Sequence, residues 1–424
     1  MSRCGVVGAG YVGLATAVTL THLGHHVTVA EVNPERLETL RAGRSPILEA
    51  GLEERIAEGL ADGMLDFVAD SREAAADADF IFLCVQTPMS ASGRADLSYL
   101  ETAAAEIGPV LAQDAIVITK STVPVGSSRV VERMIRREEV KVVSSPEFLQ
   151  EGSAVHDSLH PTRIVLGCDD QVAVAKVAAL LEPLGAPTIV TNPASAETIK
   201  YAANSFLAMK ISFANSVAAV CEGIGANVDD VMLGIGYDPR IGVEFLRPGP
   251  GFGGSCLPKD LGAIKASSED AGYTFELLDA VQRVNEQQLD RIVNKIARHA
   301  RPLNGSTVAI WGLTFKARTA DLRDSPAIDI ARKLRERNAH VIAYDPTVTS
   351  PSPELEGIQI VTDPYAAVEG ASALAVLTEW DEFRWLDFEK VAGAMKHAAI
   401  VDARNLLDAA PLRNIGFEYE GLGR

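Results

Sequence analysis

Residues 4–31 read CGVVGAGYVGLATAVTLTHLGHHVTVAE. Cys4 to Val7 is an apolar run of strand length. Gly8-Ala9-Gly10-Tyr11-Val12-Gly13 follows it at once. From Tyr11 to Leu23 the apolar residues recur at helical spacing, and His26 to Ala30 is a second short β run closed by Glu31. Strand, glycine turn, helix and strand make one βαβ unit of a doubly wound sheet. The glycines allow a tight turn and close approach of a pyrophosphate, and the helix N-terminus then faces its negative charge. Glu31 ends the next strand, where an acid binds ribose hydroxyls and repels a 2′-phosphate. The expected cofactor is therefore NAD, not NADP.

Working outward, strand-length apolar runs recur at 80–85, 115–119, 140–143 and 163–167, with helical segments between several of them. From Ala194 to about Ala226 there is one long helical pattern, and a second covers Phe275 to Arg301. The α/β alternation then returns, with strands at 307–313, 340–344, 372–377 and 398–401 and a helix over 326–338. Val6-Val7-Gly8 parallels Ile310-Trp311-Gly312, and Glu31 parallels Asp345, but the second copy lacks the full glycine pattern. The expected fold is α/β: two Rossmann-like, doubly wound units joined by a long central helix and a helical middle domain. The expected boundaries are 1–193 for NAD, 194–301 for the helical and dimerising part, and 302–424 for a second nucleotide.

With 57 acidic against 39 basic residues, the net charge is -18. That excludes the basic surface a nucleic-acid binder needs. An anionic ligand needs a local cluster of Lys and Arg. The five cysteines are scattered with no CxxC pair, which suits free thiols and a cytoplasmic setting. No sequence stretch reads as the roughly 18 apolar residues of a membrane span, so no membrane partner is expected. No metal set is expected either.

The strongest chemical signal is 249–260, GPGFGGSCLPKD. Pro258 suits the start of a helix. Cys256 then sits just before its N-terminus with Lys259 close by, and both features favour thiolate. The alternative, a small buried Cys behind a glycine turn, fits Cys4, Cys84, Cys168 and Cys221 better. A nicotinamide site beside a nucleophilic Cys suggests four-electron oxidation: alcohol to aldehyde, capture as a thiohemiacetal, a second hydride transfer to a thioester, and hydrolysis to the acid. Lys200 and Asn204 lie four residues apart on the long helix and share a face, where they could stabilise an oxyanion. Glu147 to Glu151 and Thr122 follow strand ends, where α/β sheets place ligands. Arg323 and Arg404 are candidate phosphate contacts. Each of these could equally be an ordinary surface or loop group.

These motifs resemble the UDP-glucose/GDP-mannose dehydrogenases. The resemblance covers nearly the whole chain and rests on GAGYVGL, KSTVPVG, SPEFLQEG, ETIKYAANSFLAMKISFAN, DPRIG, GPGFGGSCLPKD and GLTFKARTADLRDSP. It implies that Cys256 is the thiolate, that Lys200 and Asn204 steady the oxyanion, and that Asp260, Thr122 and Glu151 handle water and protons. It implies cofactor contacts from Gly8, Gly10, Tyr11, Val12, Gly13, Glu31, Thr87, Thr122, Glu151 and Arg323. Substrate contacts are implied for Glu147, Phe148, Leu149, Glu151, Lys200, Asn204, Phe245, Leu246, Gly253, Lys259, Lys316 and Arg404. Arg240 resembles an arginine that reaches the substrate of the partner subunit, which implies a homodimer. Glu31 stands where Asp is usual, Gln86 where Pro is common, and Ser216 where Glu is usual. The run Tyr201–Ala214 is closer to the branch acting on UDP-glucose. GDP-mannose, a UDP-N-acetylhexosamine, an inactive NAD-binding sensor and a two-electron hydroxyacid dehydrogenase remain as rivals.

Overall fold

The computed structural model describes residues 1–89 and 94–424. It divides into two compact units, one of residues 1–203 with 262–273, the other of residues 204–261 with 274–424. The segment expected as a separate helical domain is thus shared between them.

The first unit holds β1 (Arg3–Val7), β2 (His26–Ala30), β3 (Leu65–Val68), β4 (Phe80–Leu83), β5 (Ile116–Thr119), β6 (Lys141–Ser144), β7 (Ile164–Gly167) and β8 (Thr188–Thr191). They form one sheet in the order β3-β2-β1-β4-β5-β6-β7-β8. Every neighbouring pair is parallel except β6 and β7. Strands β4, β5 and β7 are buried along their whole length, so they read as unbroken apolar runs rather than alternating ones. The helix Tyr11–His22 covers β1 with Leu14, Ala17 and Val18, all buried.

The second unit holds β9 (Thr307–Trp311), β10 (His340–Tyr344), β11 (Gln359–Val361), β12 (Ala373–Val376), β13 (Ala399–Asp402) and β14 (Glu418–Glu420). The order β11-β10-β9-β12-β13-β14 is parallel throughout. The helix Glu276–His299 packs Ile292, Val293 and Ile296 into its core.

The helix Pro193–Ile224 has 32 residues. By length and composition it is long enough and apolar enough to cross a membrane, the one such helix among the described residues. This corrects the expectation that no stretch reaches that length. Its charged side chains nevertheless have protein partners. Lys210 donates to the Ile241 and Gly242 carbonyls, and Lys200 pairs with Glu147.

Candidate active site

In the first unit the glycine turn leaves β1 as the sequence requires. Gly8 has φ +101, and a side chain there would meet the Cys84 carbonyl at 2.7 Å. A Cβ on Gly13 would lie 1.8 Å from the Gly8 carbonyl, so the helix can start close under the turn only with glycine. Gly10, which caps the helix, has nothing within 4 Å of that position and offers no side-chain cap. The N–H groups at this helix start and the open space above Gly10 fit a dinucleotide pyrophosphate. Tyr11 and Val12 form the first helical turn and are half-buried. Glu31 ends β2, accepts from Asn33 N at 2.8 Å and pairs with Arg36 at 3.2 Å. Arg36 also donates to the Ala9 carbonyl at 2.7 Å, tying the acid to the turn. Sequence reasoning missed Arg36; its place five residues after the acid was the available signal.

At the carboxyl ends of β4, β5 and β6 the unit gathers further predicted residues. Thr87 Oγ1 donates to the Thr122 carbonyl at 2.8 Å. The Thr122 hydroxyl itself makes no hydrogen bond among the described residues and is half-buried. Glu147 is buried and pairs with Lys200 Nζ at 2.9 Å, while its other oxygen accepts from Leu149 N. Burial pushes the Glu147 carboxyl up, but the Lys200 ammonium, the Leu149 N–H and Lys120 outweigh it and hold the group below the ordinary range. Phe148 carries the Arg163 guanidinium 3.7 Å above its ring. The loop continues through Glu151, half-buried, and is held by Glu49. The Glu49 carboxylate accepts from Gly152 N at 2.7 Å and Ala154 N at 2.8 Å. Glu49 and Arg163 were also absent from the sequence reading, since a lone acid more than a hundred residues upstream gives no local sign of its partner.

In the second unit Cys256 immediately precedes the helix Leu257–Asp270, and Asp260 N closes its first turn on the Cys256 carbonyl at 2.9 Å. Pro258 is thus the second helical residue, not the first. Among the five thiols Cys256 alone is half-buried, the other four being buried. Burial pushes the Cys4 thiol up to about 12, with the Asp79 charge adding, and burial pushes Cys84 up to about 12 as well. Those two are inert by the usual criterion that the thiolate reacts. Asp260, fully buried and one turn beyond Cys256, accepts a hydrogen bond from Asn204 Nδ2. Cys256 is therefore joined to Asp260 through its backbone carbonyl, and Asp260 to the Asn204 amide through its carboxylate. On the continuous helix Pro193–Ile224, Lys200 stands one turn before Asn204 on the same face.

The loop before Cys256 is tightly seated. Asn285 grips Phe252 through both its N–H and its carbonyl, at 2.8 and 3.1 Å. A Cβ on Gly253 would lie 2.0 Å from the Asp324 carbonyl, and one on Gly254 would lie 2.7 Å from the Phe315 ring. Lys259 and Lys316 are half-buried, and Phe245 has φ 62, a strained backbone for a bulky residue. Arg404 donates to the Leu377 and Phe315 carbonyls, which fixes its guanidinium. Of the remaining predicted residues, Arg323 meets this loop through its backbone, its carbonyl accepting from Gly254 N at 3.1 Å. Leu246 is buried in the core with Ala214, Ala218, Cys221, Val228 and Met232, so it packs rather than presents a polar group. Arg323 pairs with Asp321 at 2.6 Å and Arg240 with Asp238 at 2.5 Å, and both side chains are mostly exposed.

Three models of the UDP-glucose/GDP-mannose dehydrogenase family match the chain. The NAD binding domain matches residues 2–185, the central domain 194–287 and the UDP binding domain 309–409. The chain is 41% identical over 431 residues to the UDP-glucose 6-dehydrogenase TuaD of Bacillus subtilis, covering 100% of this chain and 94% of that one. It is 42% identical to the UDP-glucose 6-dehydrogenase of Rhizobium meliloti, covering 99% of each. Among solved structures, a UDP-glucose dehydrogenase from Pyrobaculum islandicum superposes with a TM-score of 0.92 at 36% identity, over 100% of this chain and 98% of that one.

Proposed function

The chain belongs to the UDP-glucose/GDP-mannose dehydrogenase family, and from that premise we propose that it is an NAD-dependent UDP-glucose 6-dehydrogenase. The reaction is UDP-glucose, two NAD and water going to UDP-glucuronate, two NADH and protons. The observation that carries it is the half-buried Cys256 at a helix start, one turn from a buried Asp260 that is tied to Asn204.

NAD, held by the Gly8–Gly13 turn and Glu31, supplies the hydride acceptor for both oxidations. The chain's own residues do the rest. Cys256 adds to the C6 aldehyde as thiolate, giving a thiohemiacetal; its oxidation leaves a thioester, which water cleaves to release the acid and regenerate the thiol. Lys200 and the Asn204 amide donate to the oxygen that carries negative charge when the thiolate adds and when water attacks. Asp260 orients Asn204 and takes up or returns a proton at its carboxylate. Thr122 and Glu151 hold the water. Glu147 pairs with Lys200 and aims it, while Phe148, Leu149, Phe245, Gly253, Lys259, Lys316 and Arg404 serve the sugar nucleotide. Thr87 and Arg323 serve the cofactor.

The protein is read as a homodimer. Phe206, Phe213 and Val220 recur at seven-residue intervals on the long helix, all with half or more of their surface exposed. A second copy of that helix would cover the stripe, and the outward Arg240 then reaches the partner's substrate. Phe213→Asp should shift the mass in light scattering from dimer to monomer. Five cysteines outside any disulfide among the described residues suit a reducing, cytoplasmic setting.

The test is NADH formation with UDP-glucose, with GDP-mannose and UDP-N-acetylhexosamines in parallel. Two NADH per acid are expected, and Cys256→Ser should yield no net acid. One NADH per product, or unchanged turnover by Cys256→Ser, sinks the covalent route.

A further inference from the structure

The helix Ser127–Ile135 starts just after the Thr122 loop, and its own sequence gives it no N-cap. Gly126 occupies the capping position at φ 96, in a left-handed conformation and without a side chain. The missing acceptor comes from 71 residues away in sequence. Glu197 Oε2 accepts from Gly126 N at 2.6 Å. Glu197 Oε1 accepts from Ser128 N at 2.9 Å and from Ser128 Oγ at 2.6 Å. Both oxygens are thus used at the positive end of that helix.

Glu197 is 2% exposed. Burial pushes its carboxyl up, against the three donors and the more distant Arg129. A buried carboxylate whose contacts are neutral donors is a poor means of gaining stability, because its desolvation exceeds what neutral hydrogen bonds return. Its place in the fold suggests another purpose. It stands three residues before Lys200 on the same face of the helix Pro193–Ile224. The segment it grips is the downstream end of the loop that carries Thr122. The upstream end is fixed separately: Ser121 Oγ donates to the Val85 carbonyl at 2.7 Å, Thr87 Oγ1 donates to the Thr122 carbonyl, and Val123 is buried. Ser127 Oγ closes the turn on the Pro124 carbonyl at 2.7 Å. With the upstream end fixed in this way, Glu197 is the side chain that ties the downstream end of the Thr122 loop to the helix bearing Lys200.

We infer that Glu197 is a positioning residue for the oxidation: its carboxylate caps the Ser127–Ile135 helix from the helix that bears Lys200, and so locks the Thr122 loop to the oxyanion-stabilising lysine. The inference rests on the roles proposed above for Thr122 and Lys200.

Glu197→Gln tests it. The amide keeps the volume, but its NH2 group faces an N–H donor where an acceptor is needed. NADH binding, measured by fluorescence, counts the folded sites, and turnover with UDP-glucose is expressed per site. We expect kcat per site to fall by about 10- to 100-fold, the scale of a misplacement near 1 Å. The NADH Kd should change by a smaller factor than kcat per site, since the pyrophosphate turn is elsewhere in the unit and only the Thr122 loop is disturbed. A loss of folded protein alone would lower the number of sites and leave kcat per site intact, and that result overturns the inference. Hydrogen exchange on the unsubstituted protein gives a reading that needs no variant. Gly126 is exposed, so its amide should exchange slowly only because Glu197 holds it; exchange as fast as in a free loop overturns the inference. Absence of turnover by the unsubstituted protein overturns the functional reading and this inference together. Turnover there with unaltered Glu197→Gln overturns the positioning role alone.

Discussion

The two sheets are built to the same plan and finished differently. In both, the first strand ends on a glycine with positive φ, Gly8 at 101° and Gly312 at 91°. In both, that glycine presses against the end of the fourth strand: a Cβ would meet the Cys84 carbonyl at 2.7 Å in one and Thr378 at 2.3 Å in the other. In both, the strand beside it ends on an acid, Glu31 or Asp345. The difference lies in what the acid is used for. Glu31 accepts from Asn33 N and Arg36 beside an open turn. Asp345 is buried and spent on its own unit, accepting from Leu313 N, Thr314 N and Oγ1, Trp380 Nε1, and Thr347 N and Oγ1. The strand–glycine–acid frame is therefore a packing solution first. It becomes a dinucleotide site only where the helix start stays open and the acid faces that opening.

Replacing the two acids should separate these uses. Asp345→Ala strands several buried donors, so a loss of about 3–5 kcal/mol in urea unfolding is expected for the second unit. The NADH Kd should stay unchanged. Glu31→Ala should reverse the pattern, with stability changed by about 1 kcal/mol or less and NADH binding weakened by about tenfold, or ~1.4 kcal/mol. Equal destabilisation by both would erase the distinction. Between these in size lies Gly10→Val. Open space around Gly10 lets the side chain in without strain, so the unfolding midpoint should hold. The methyl groups would occupy the pyrophosphate position and weaken NADH by on the order of 100-fold, or ~2.7 kcal/mol. Undiminished NADH binding by Gly10→Val would mean that the turn is not the site.

The frame was legible in the sequence because it is local. The runs 4–7, 26–30 and 340–344 become strands because they are largely apolar and are followed by Gly or an acid; the run expected over 307–313 does so only to Trp311, where Gly312 ends it, and the long helix falls within two residues of its expected ends. What the sequence concealed was either short and half-polar or distant. Strands β3, β8, β11 and β14 went unseen; Leu65–Val68 alternates over four residues, and Glu418–Glu420 carries two acids in three. The chemistry of Cys256 was legible from its glycines and helix start. Its support was not, since Asn204 meets Asp260 across 56 residues and Glu49 meets Gly152 across 103. Leu246 shows a different limit. It sits within a motif that suggests ligand contact, yet its side chain is core.

The edges of the two sheets give the smallest effect and the finest test. The last strand of the first sheet, β8, carries no charge. The last strand of the second, β14, is fastened by ions to the helix Glu276–His299. Lys295 and Arg298 reach Glu420 at 2.7 and 2.6 Å, and the two ring nitrogens of His299 reach Glu418 at 3.1 Å and Glu420 at 2.8 Å. Only the imidazolium can donate from both nitrogens. The Glu420 hydrogen bond, more than the burial that opposes it, raises the His299 pKa above its ordinary value. Burial pushes the Glu420 carboxyl up, but His299, Lys295 and Arg298 outweigh it and hold it at about 2. A histidine whose folded pKa is raised takes up its proton on folding, so its contribution is fully present below the unfolded value, near 6.5, and is lost as pH rises through the higher folded value. Glu420 has the opposite sign: its contribution is present above the ordinary carboxylate range and disappears only as pH falls towards 2. Between pH 6 and 8 Glu420 is therefore silent and His299 alone of this pair acts. His299→Gln should lower urea stability at pH 6 by about 1 kcal/mol or less, because the ring is partly exposed and its ion pairs are screened. The difference from the unsubstituted protein should then shrink towards pH 8. A difference that holds constant across that window would mean that the ring packs against β14 as a neutral group and that the strand is not fastened by its charge.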